Sequence, residues 1–570
     1  MSSQKLTYEK LKHNQWLLTG VVFYFSMIVI WRWGNGCLFT SYDCYTYYFP
    51  MLELFQKGAS FSQWNHPICP PLLIIAQGGI MTLFHISNFE LAALLLNGLL
   101  MIPCTYIVFC IATTISQNKL SGGIAAMLLL INPIIAWRSL TTGNELIYAT
   151  LLSAFCLSLI RYCNSTSCKS FIATSLFAIL LALVRAEGPI WSVVFIACLG
   201  VINLRKKQKA QLCLSLISFC ILFAMCAGPR LGYMKKTTGL YLLDIRQNIG
   251  HVFSKKNSFD FETYRQQYGF KNAIYTDVNK SAFSKYQAKS SAYMTPWRRV
   301  AWSVRGFVIG VVPLGLYLLL CLYQYYKSRL TKEKVKLSSL LKKNTTNACI
   351  LTSLLIVIQC SILIIVLFLE PRYMSLILPL VSALIAGLFT ITLSRFQIVV
   401  FLLLSTIWSH TVLYKIPQRK HELHAGTVLS QLHSPRQSGI VLSHSPGPAF
   451  YANLKWCPVP DFQGRRYILS EDEILEMCRT ANIEFILAPG CPYWDIHQWH
   501  EPFTPDFNTA WYASLIPVKN DTHYPTLVIN AKKLVKMCDR PTGHFEVINV
   551  ENSITTIPDK TNLMPSAVDD

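Results

Sequence analysis

The chain has 570 residues, 52% of them apolar and 14% charged, with a formal net charge of +22. Such a charge would suit a nucleic-acid binder, but its placement excludes one. The basic residues sit in runs between long apolar stretches rather than on a polar domain. Apolar runs of about 17–25 residues, enough to cross a bilayer core, recur as far as Tyr414 and then stop. The pattern predicts an α-helical polytopic membrane protein, residues 1–414, followed by a C-terminal soluble α/β domain, residues 415–570.

The first apolar run, Trp16–Trp33, lacks a small-residue cleavage site and is followed by more spans. It reads as a retained signal-anchor rather than a cleaved leader. Lys5, Lys10 and Lys12 place the N-terminus on the cytoplasmic side, and residues 32–70 then form a first external loop. That loop carries Ser41-Tyr42-Asp43-Cys44-Tyr45-Thr46-Tyr47-Tyr48 and, later, His66, Pro70 and Pro71.

Further candidate spans cover residues 71–86, 91–115, 122–136, 146–161, 171–184, 190–202, 211–227, 307–322, 348–369, 375–393 and 398–413, twelve in all with the first. The basic stretches 205–209 and 327–343 mark the cytoplasmic face. Arg138–Glu145, Arg185–Pro189, residues 229–299, Glu370–Tyr373 and the tail then lie outside. An inside start and an outside end need an odd number of crossings. Splitting the 91–115 run at Pro103, which lacks an amide donor, gives about thirteen transmembrane helices.

This arrangement gathers charged residues at span ends on one face: Asp43 and His66, Arg138 and Glu145, Arg185 and Glu187, Glu370 with Arg372 and Tyr373. Ionisable residues so placed point to a functional site. The nineteen cysteines include no CxxC pair and no Cys/His metal spacing. Cys37, Cys44, Cys69, Cys457, Cys478, Cys491 and Cys538 are candidates for disulfides if they face outward. In the tail, Gly439–Ser443, Glu484–Ala488 and Thr526–Ile529 read as strands. Ser470-Glu471-Asp472-Glu473 reads as a capping box opening a helix to about Ala481.

The ordered set Tyr42-Asp43, His66-Pro67-Ile68-Cys69-Pro70-Pro71, Asn132-Pro133, Asn144-Glu145, Val184-Arg185-Ala186-Glu187-Gly188 and Glu370-Pro371-Arg372-Tyr373 resembles the polyprenol-phosphate-dependent glycosyltransferases of the C-type superfamily. The likeness runs from Trp16 to about Tyr414. It is closest to the bacterial family 39 branch, with its protein O-mannosyltransferases and lipid A aminoarabinose transferase. The chain departs from that pattern in having Ile68-Cys69 where a Lys often precedes the Pro-Pro pair, and Asn144 where an Asp often accompanies the Glu.

The resemblance implies transfer of a sugar from a polyprenyl-phosphate donor to an acceptor lipid, glycan or protein, at the external face of a bacterial inner membrane. Such a displacement needs a base on the nucleophile and positive charge on the departing phosphate. Asp43 is the candidate general base, and the alternative is a helix cap. Glu145 would orient the sugar or, with Asp43 and His66, hold a divalent cation such as Mg or Mn; otherwise it is a helix-start acid favoured by the macrodipole. Arg372, Arg185 and Arg138 are candidate phosphate contacts, with ion pairing and snorkelling as alternatives. Tyr45, Tyr47, Tyr48, Tyr373 and Glu187 are candidate sugar or lipid contacts, although aromatics also gather at membrane interfaces for their own reasons. A lipid-linked sugar flippase and a non-catalytic subunit of glycan assembly are the competing readings; a flippase should show inverted repeats or polar residues within its spans.

Overall fold

The computed structural model describes residues 39–40, 48–67, 69–244, 274, 277, 312–321, 343–365, 371–388, 401, 403–405, 407–408, 411, 420–433, 439–443, 445–459, 461–462, 465–466, 470–489, 504–516 and 526–539. Three described helices are long and apolar enough to cross a membrane, and a fourth crossing arises if one bent pair counts as a span. The chain is a helical integral membrane protein.

A two-residue strand β1 (Phe39–Thr40) leads toward helices α1 (Phe49–Gln56), α2 (Phe61–Trp64) and α3 (Pro71–Leu83). The long α4 (Phe89–Ser116) follows, then α5 (Lys119–Leu130), α6 (Pro133–Ser139) and a second short strand, β2 (Thr141–Thr142). Next come α7 (Glu145–Ser165), α8 (Cys168–Ala182), α9 (Pro189–Arg205) and α10 (Lys209–Thr238). Later helices are α11 (Val312–Cys321), α12 (Lys343–Ile365), α13 (Pro371–Met374) and α14 (Leu378–Leu388).

Local chemistry sets several of these boundaries. Asn88, Asn118 and Ser167 cap α4, α5 and α8 by accepting from backbone amides two or three residues on, which satisfies donors the helix cannot use itself. Gln117, Thr166 and Gly239 stop α4, α7 and α10 in the left-handed region. Between α5 and α6 the axis turns by 63°. Asn132 makes that corner: its side chain accepts from Ile134 N at 3.0 Å and Ile135 N at 3.4 Å, with Pro133 at the first helical position.

α7 is the axis of the bundle. In its apolar window 83% of residues are buried, against 11% for α10, so α7 is walled by protein while α10 presents its apolar surface outward, as a lipid-facing helix does. Tyr148, Leu152, Phe155 and Leu159 of α7, all fully buried, belong to the main apolar cluster with Trp191, Phe195 and Phe219.

Two expectations about spans give way. Pro103 does not split its segment: α4 runs unbroken through it for 28 residues, about 42 Å. A membrane helix can absorb an interior proline when neighbouring helices pack around the freed carbonyl, and α4 is packed by α5, α7 and α14. Second, residues 71–86 do not form a crossing. Length does not decide this, since α3 has 13 residues and α8 only 15; the position of its ends does. Both of its ends belong to one end of the bundle. Before it, the Asn65–Cys69 turn is tied to Arg230 near the end of α10. After it, Gln56 donates to Ile86 O at 3.1 Å and Phe89 stacks on Phe49 at 5.2 Å. Phe49, Leu73, Ile74, Ala92, Leu96 and Met234 share one apolar cluster there. α10 likewise extends past Arg230 to Thr238, so the large loop expected from residue 229 begins only at Gly239. The described part of the apolar run at 307–322 is α11.

In the tail, α15 (Lys420–Leu432) precedes a sheet of order β4-β3-β7-β8: β3 (Ile440–Ser443), β4 (Lys455–Pro458), β7 (Phe485–Pro489) and β8 (Thr526–Asn530). β4 and β7 flank β3 in parallel and β8 is antiparallel to β7. A small antiparallel pair, β5 (Asp461–Phe462) and β6 (Arg465–Arg466), lies apart. The helices are α16 (Gly447–Tyr451), α17 (Glu471–Thr480), α18 (Pro505–Ala513) and α19 (Ala531–Cys538). Side chains alternate faces along a strand. Ile440 and Leu442 accordingly enter one apolar cluster with α17 and α19, while Val441 enters another with α15. The expected capping box is present: Ser470 N donates to Glu473 Oε2 at 3.0 Å and Glu473 N to Ser470 Oγ at 3.3 Å. This layer rests on the membrane helices through Tyr451, whose hydroxyl donates to Glu90 Oε1 at 2.8 Å, and Phe450, 5.4 Å from Phe49. Ile274, inside the large loop, donates its amide to Trp456 O at 2.8 Å. Of the cysteines considered for disulfides, Cys478 and Cys538 are free thiols, and Cys37, Cys44 and Cys491 lie outside the described residues; burial pushes the Cys478 thiol up to about 12.

Candidate functional site

The site forms where α7 begins. β2 delivers the chain to Asn144 and Glu145, and Asn97 of α4 fixes that approach: its Nδ2 lies 3.3 Å from Arg138 O, 3.3 Å from Ser139 O and 2.8 Å from Thr141 O. Asn97 is only 3% exposed, so its amide supplies donors to carbonyls that water does not reach. β2 is also the parallel partner of β1, with Phe39 opposite Thr141 and Thr40 opposite Thr142. Glu145 is three residues past Thr142, and Asp43 is three residues past Thr40. Asp43, Tyr45 and Tyr47 lie outside the described residues.

Arg138 and Glu145 are both nearly buried, and Arg138 Nη1 lies 3.8 Å from Glu145 Oε1. The guanidinium also rests 3.9 Å from the centre of the Trp137 ring. The Glu145 carboxylate folds back over Gly143, where any Cβ would collide with it. A side chain at position 143 would displace that carboxylate.

Asn144, beside Glu145, links this pair to a second one. Its Nδ2 donates to Val184 O at 3.0 Å, and its Oδ1 accepts from Arg185 Nη1 at 3.0 Å. Arg185 Nε in turn meets Glu187 Oε1 at 2.5 Å. A Cβ at Gly188 would run into the Leu181 carbonyl, so only glycine lets this turn close against α8. The Arg185 guanidinium lies over two aromatic rings, 5.8 Å from the centre of Tyr148 and 5.0 Å from that of Tyr373. Such cation–π contacts orient a guanidinium as well as stabilising it. Under it, the Tyr148 hydroxyl accepts from Trp191 Nε1 at 2.6 Å and donates to Gln359 Oε1 at 3.1 Å.

The structure thus gathers Arg138, Glu145, Arg185, Glu187 and Tyr373 around one helix tip. Arg372 precedes Tyr373 in α13, and its side chain, like the whole of Glu370, lies outside the described residues. Tyr48 is buried in the apolar cluster beside α1. His66 sits in a different group. It is 8% exposed, next in sequence to Asn65, and Asn65 accepts from Arg230. Arg230 also donates to Leu243 O at 2.8 Å and Pro67 O at 3.0 Å. Burial, aided by the Arg230 charge and opposed by Asp244, lowers the His66 imidazole to about 3. A neutral imidazole could ligate a metal, but its charged neighbours here include a guanidinium. Among the described residues no three His, Cys, Asp or Glu side chains are grouped to hold a metal ion.

Asn97, Tyr148, Gln359 and Arg230 are not among the residues expected from sequence, and Asn144 is expected there only as a motif residue. Asn97 and Gln359 carried a signal: each is a polar residue inside an apolar run, which in a membrane protein marks a partner to be found.

No family model and no curated protein matches the chain in sequence. Among solved structures it is similar to the archaeal oligosaccharyltransferase AglB from Archaeoglobus fulgidus, in complex with an inhibitory peptide and a dolichol-phosphate. That match has a TM-score of 0.46 and 11% identity, covering 84% of this chain and 69% of that one. It is also similar to ArnT from Cupriavidus metallidurans bound to undecaprenyl phosphate, with a TM-score of 0.42 and 11% identity, covering 89% of this chain and 97% of that one.

Proposed function

We propose that this chain is a membrane glycosyltransferase of the C-type superfamily, of the family 39 kind, that moves a sugar from a polyprenyl-phosphate donor to an acceptor lipid, glycan or protein. The observation that carries this reading is the meeting of the Arg138–Glu145 and Arg185–Glu187 pairs with Tyr373 at the tip of α7. In sequence, Asp43 follows the Phe39–Thr40 strand by three residues. In this reading Asp43 takes the acceptor proton as attack proceeds, while Arg372 and Arg185 meet the departing phosphate. Glu145 and Glu187 hold the sugar and the arginines in place. Asp43 and Glu145 are the residues that would hold a divalent cation such as Mg or Mn, with which Arg138 competes at the Glu145 carboxylate.

The topology supports the same face. In this reading the twelve apolar segments less α3 make eleven crossings, an odd number that agrees with a cytoplasmic N-terminus and an external site and tail without any split at Pro103. The basic turn at 205–209 supports that orientation: Lys206 Nζ reaches Thr166 Oγ1 at 3.2 Å, at the end of α7 remote from Glu145. The site would then face the periplasm or exterior of a bacterial inner membrane, with residues 415–570 as an external domain.

The test is release of free polyprenyl phosphate from a panel of polyprenyl-phosphate sugars by purified protein in lipid, with acceptor-rich membrane extract present. Wild-type release, lost in a folded Asp43→Asn variant and reduced in Arg372→Ala, is the expected result. Equal release by wild type and Asp43→Asn removes Asp43 as the base, and no release from any donor removes the transferase reading.

A further inference from the structure

Among the described residues, the groups that orient Arg185 reach beyond its ion pair with Glu187. Tyr148 is fully buried, as are both partners of its hydroxyl, Trp191 and Gln359. The direction of this chain of hydrogen bonds is forced. An indole N–H can only donate, so the Tyr148 oxygen accepts from Trp191 and its own proton must go elsewhere. Gln359 Oε1 takes it. With its amide reversed, Gln359 would bring a second donor to the same oxygen and leave the phenol proton unmatched. The orientation observed leaves Gln359 Nε2 buried without a partner among the described residues. A buried unpaired amide is costly, and an apolar side chain at 359 would avoid the cost. The polar group fixes the rotation of one ring, and that ring lies below the Arg185 guanidinium.

We infer that Tyr148, clamped by Trp191 and Gln359, is a positioning residue that holds the Arg185 guanidinium in the orientation that binds the donor's phosphate. The inference rests on the transferase reading above and extends it to three residues on three helices, α7, α9 and α12. It requires no contact between Tyr148 and substrate. Tyr148→Phe keeps the ring and removes the hydroxyl from both hydrogen bonds. Gln359→Leu removes the acceptor and keeps the volume close to the original. Because negative charge builds on the phosphate as it departs, a loosened Arg185 weakens binding of the lipid phosphate and costs more in the transition state than in the bound donor, so kcat falls along with affinity.

The experiment measures kcat and KM for a polyprenyl-phosphate sugar that wild type turns over, and Kd for polyprenyl phosphate alone. It uses wild type, both single variants and the double variant in lipid nanodiscs, with thermal midpoints recorded alongside. The expected result is a Kd for polyprenyl phosphate raised about tenfold and a kcat/KM lowered by at least as much in each single variant, at thermal midpoints near that of wild type, and a double variant no worse than either single. A fall in kcat that tracks a lower midpoint, with Kd unmoved, overturns the inference and makes the network purely structural. So does full additivity of the two substitutions. Wild-type protein that neither binds polyprenyl phosphate nor turns over any donor overturns the transferase reading and this inference together, which distinguishes that failure from a failure of Tyr148 alone.

Discussion

Phe39 and Thr141 face one another across a parallel ladder only two residues long, and this pairing joins the first loop to the approach to Glu145. If it persists in the membrane, cysteines at the two positions should cross-link, since the Cα separation of paired strand residues falls within disulfide range. Oxidation of Phe39→Cys with Thr141→Cys, followed by mass spectrometry of the joined peptides, should give a covalent link. The control pair Phe39→Cys with Ile131→Cys should not. Absence of the 39–141 link would detach Asp43 from the site.

The re-entrant course of α3 predicts accessibility. A short epitope inserted at His85, where the chain turns with φ 52°, should bind antibody from the same side of sealed vesicles as one placed at Asp506. Opposite sidedness would restore α3 as a crossing and return the count to an even number.

Arg138 and Glu145 are an ion pair nearly closed to solvent. Removing one charge from a buried pair costs more than removing both. Glu145→Gln is expected to destabilise by about 3 kcal/mol, and Arg138→Met with Glu145→Leu to recover much of that while remaining inactive. Denaturation in detergent beside turnover checks both halves. Recovery of activity in the double variant would show the pair to be a strut.

The His66 imidazole supplies a pH signature. In the fold it stays neutral down to about pH 3, while in the unfolded chain it protonates below its ordinary pKa of about 6.5. The unfolded state binds more protons between those values, so stability falls as pH drops from about 6.5 toward 3. At about pH 5 the loss relative to neutral pH is about 2 kcal/mol. Wild type should therefore lose thermal midpoint on acidification faster than His66→Gln. Parallel curves would place the titration on other groups.

The sequence made some of this legible for clear physical reasons. Ser470 and Glu473 announced α17 because a capping box is a local device. Glu145 announced the start of α7 because acids favour that end of a helix. The charge pairs at residues 138 and 145 and at 185 and 187 could be read from spacing alone. α3 could not, because Pro71–Leu83 is as apolar as a span and only its two ends, held by Arg230 and by Phe49, reveal that it stays on one side. Pro103 misled for a related reason: a proline breaks helices in water, but between packed membrane helices the alternatives to a helix are worse. The role of Tyr148 was invisible because its partners lie 43 and 211 residues away in sequence.

α7 meets almost no lipid, and this fixes where its tip can be. A helix bathed in acyl chains tilts or shifts when the bilayer thickens or thins. α10 is such a helix, whereas α7 is held by protein on every side. The height of Asn144 and Glu145 above the membrane midplane is therefore a property of the packing, and the same arrangement of side chains would be presented in thick and thin membranes alike.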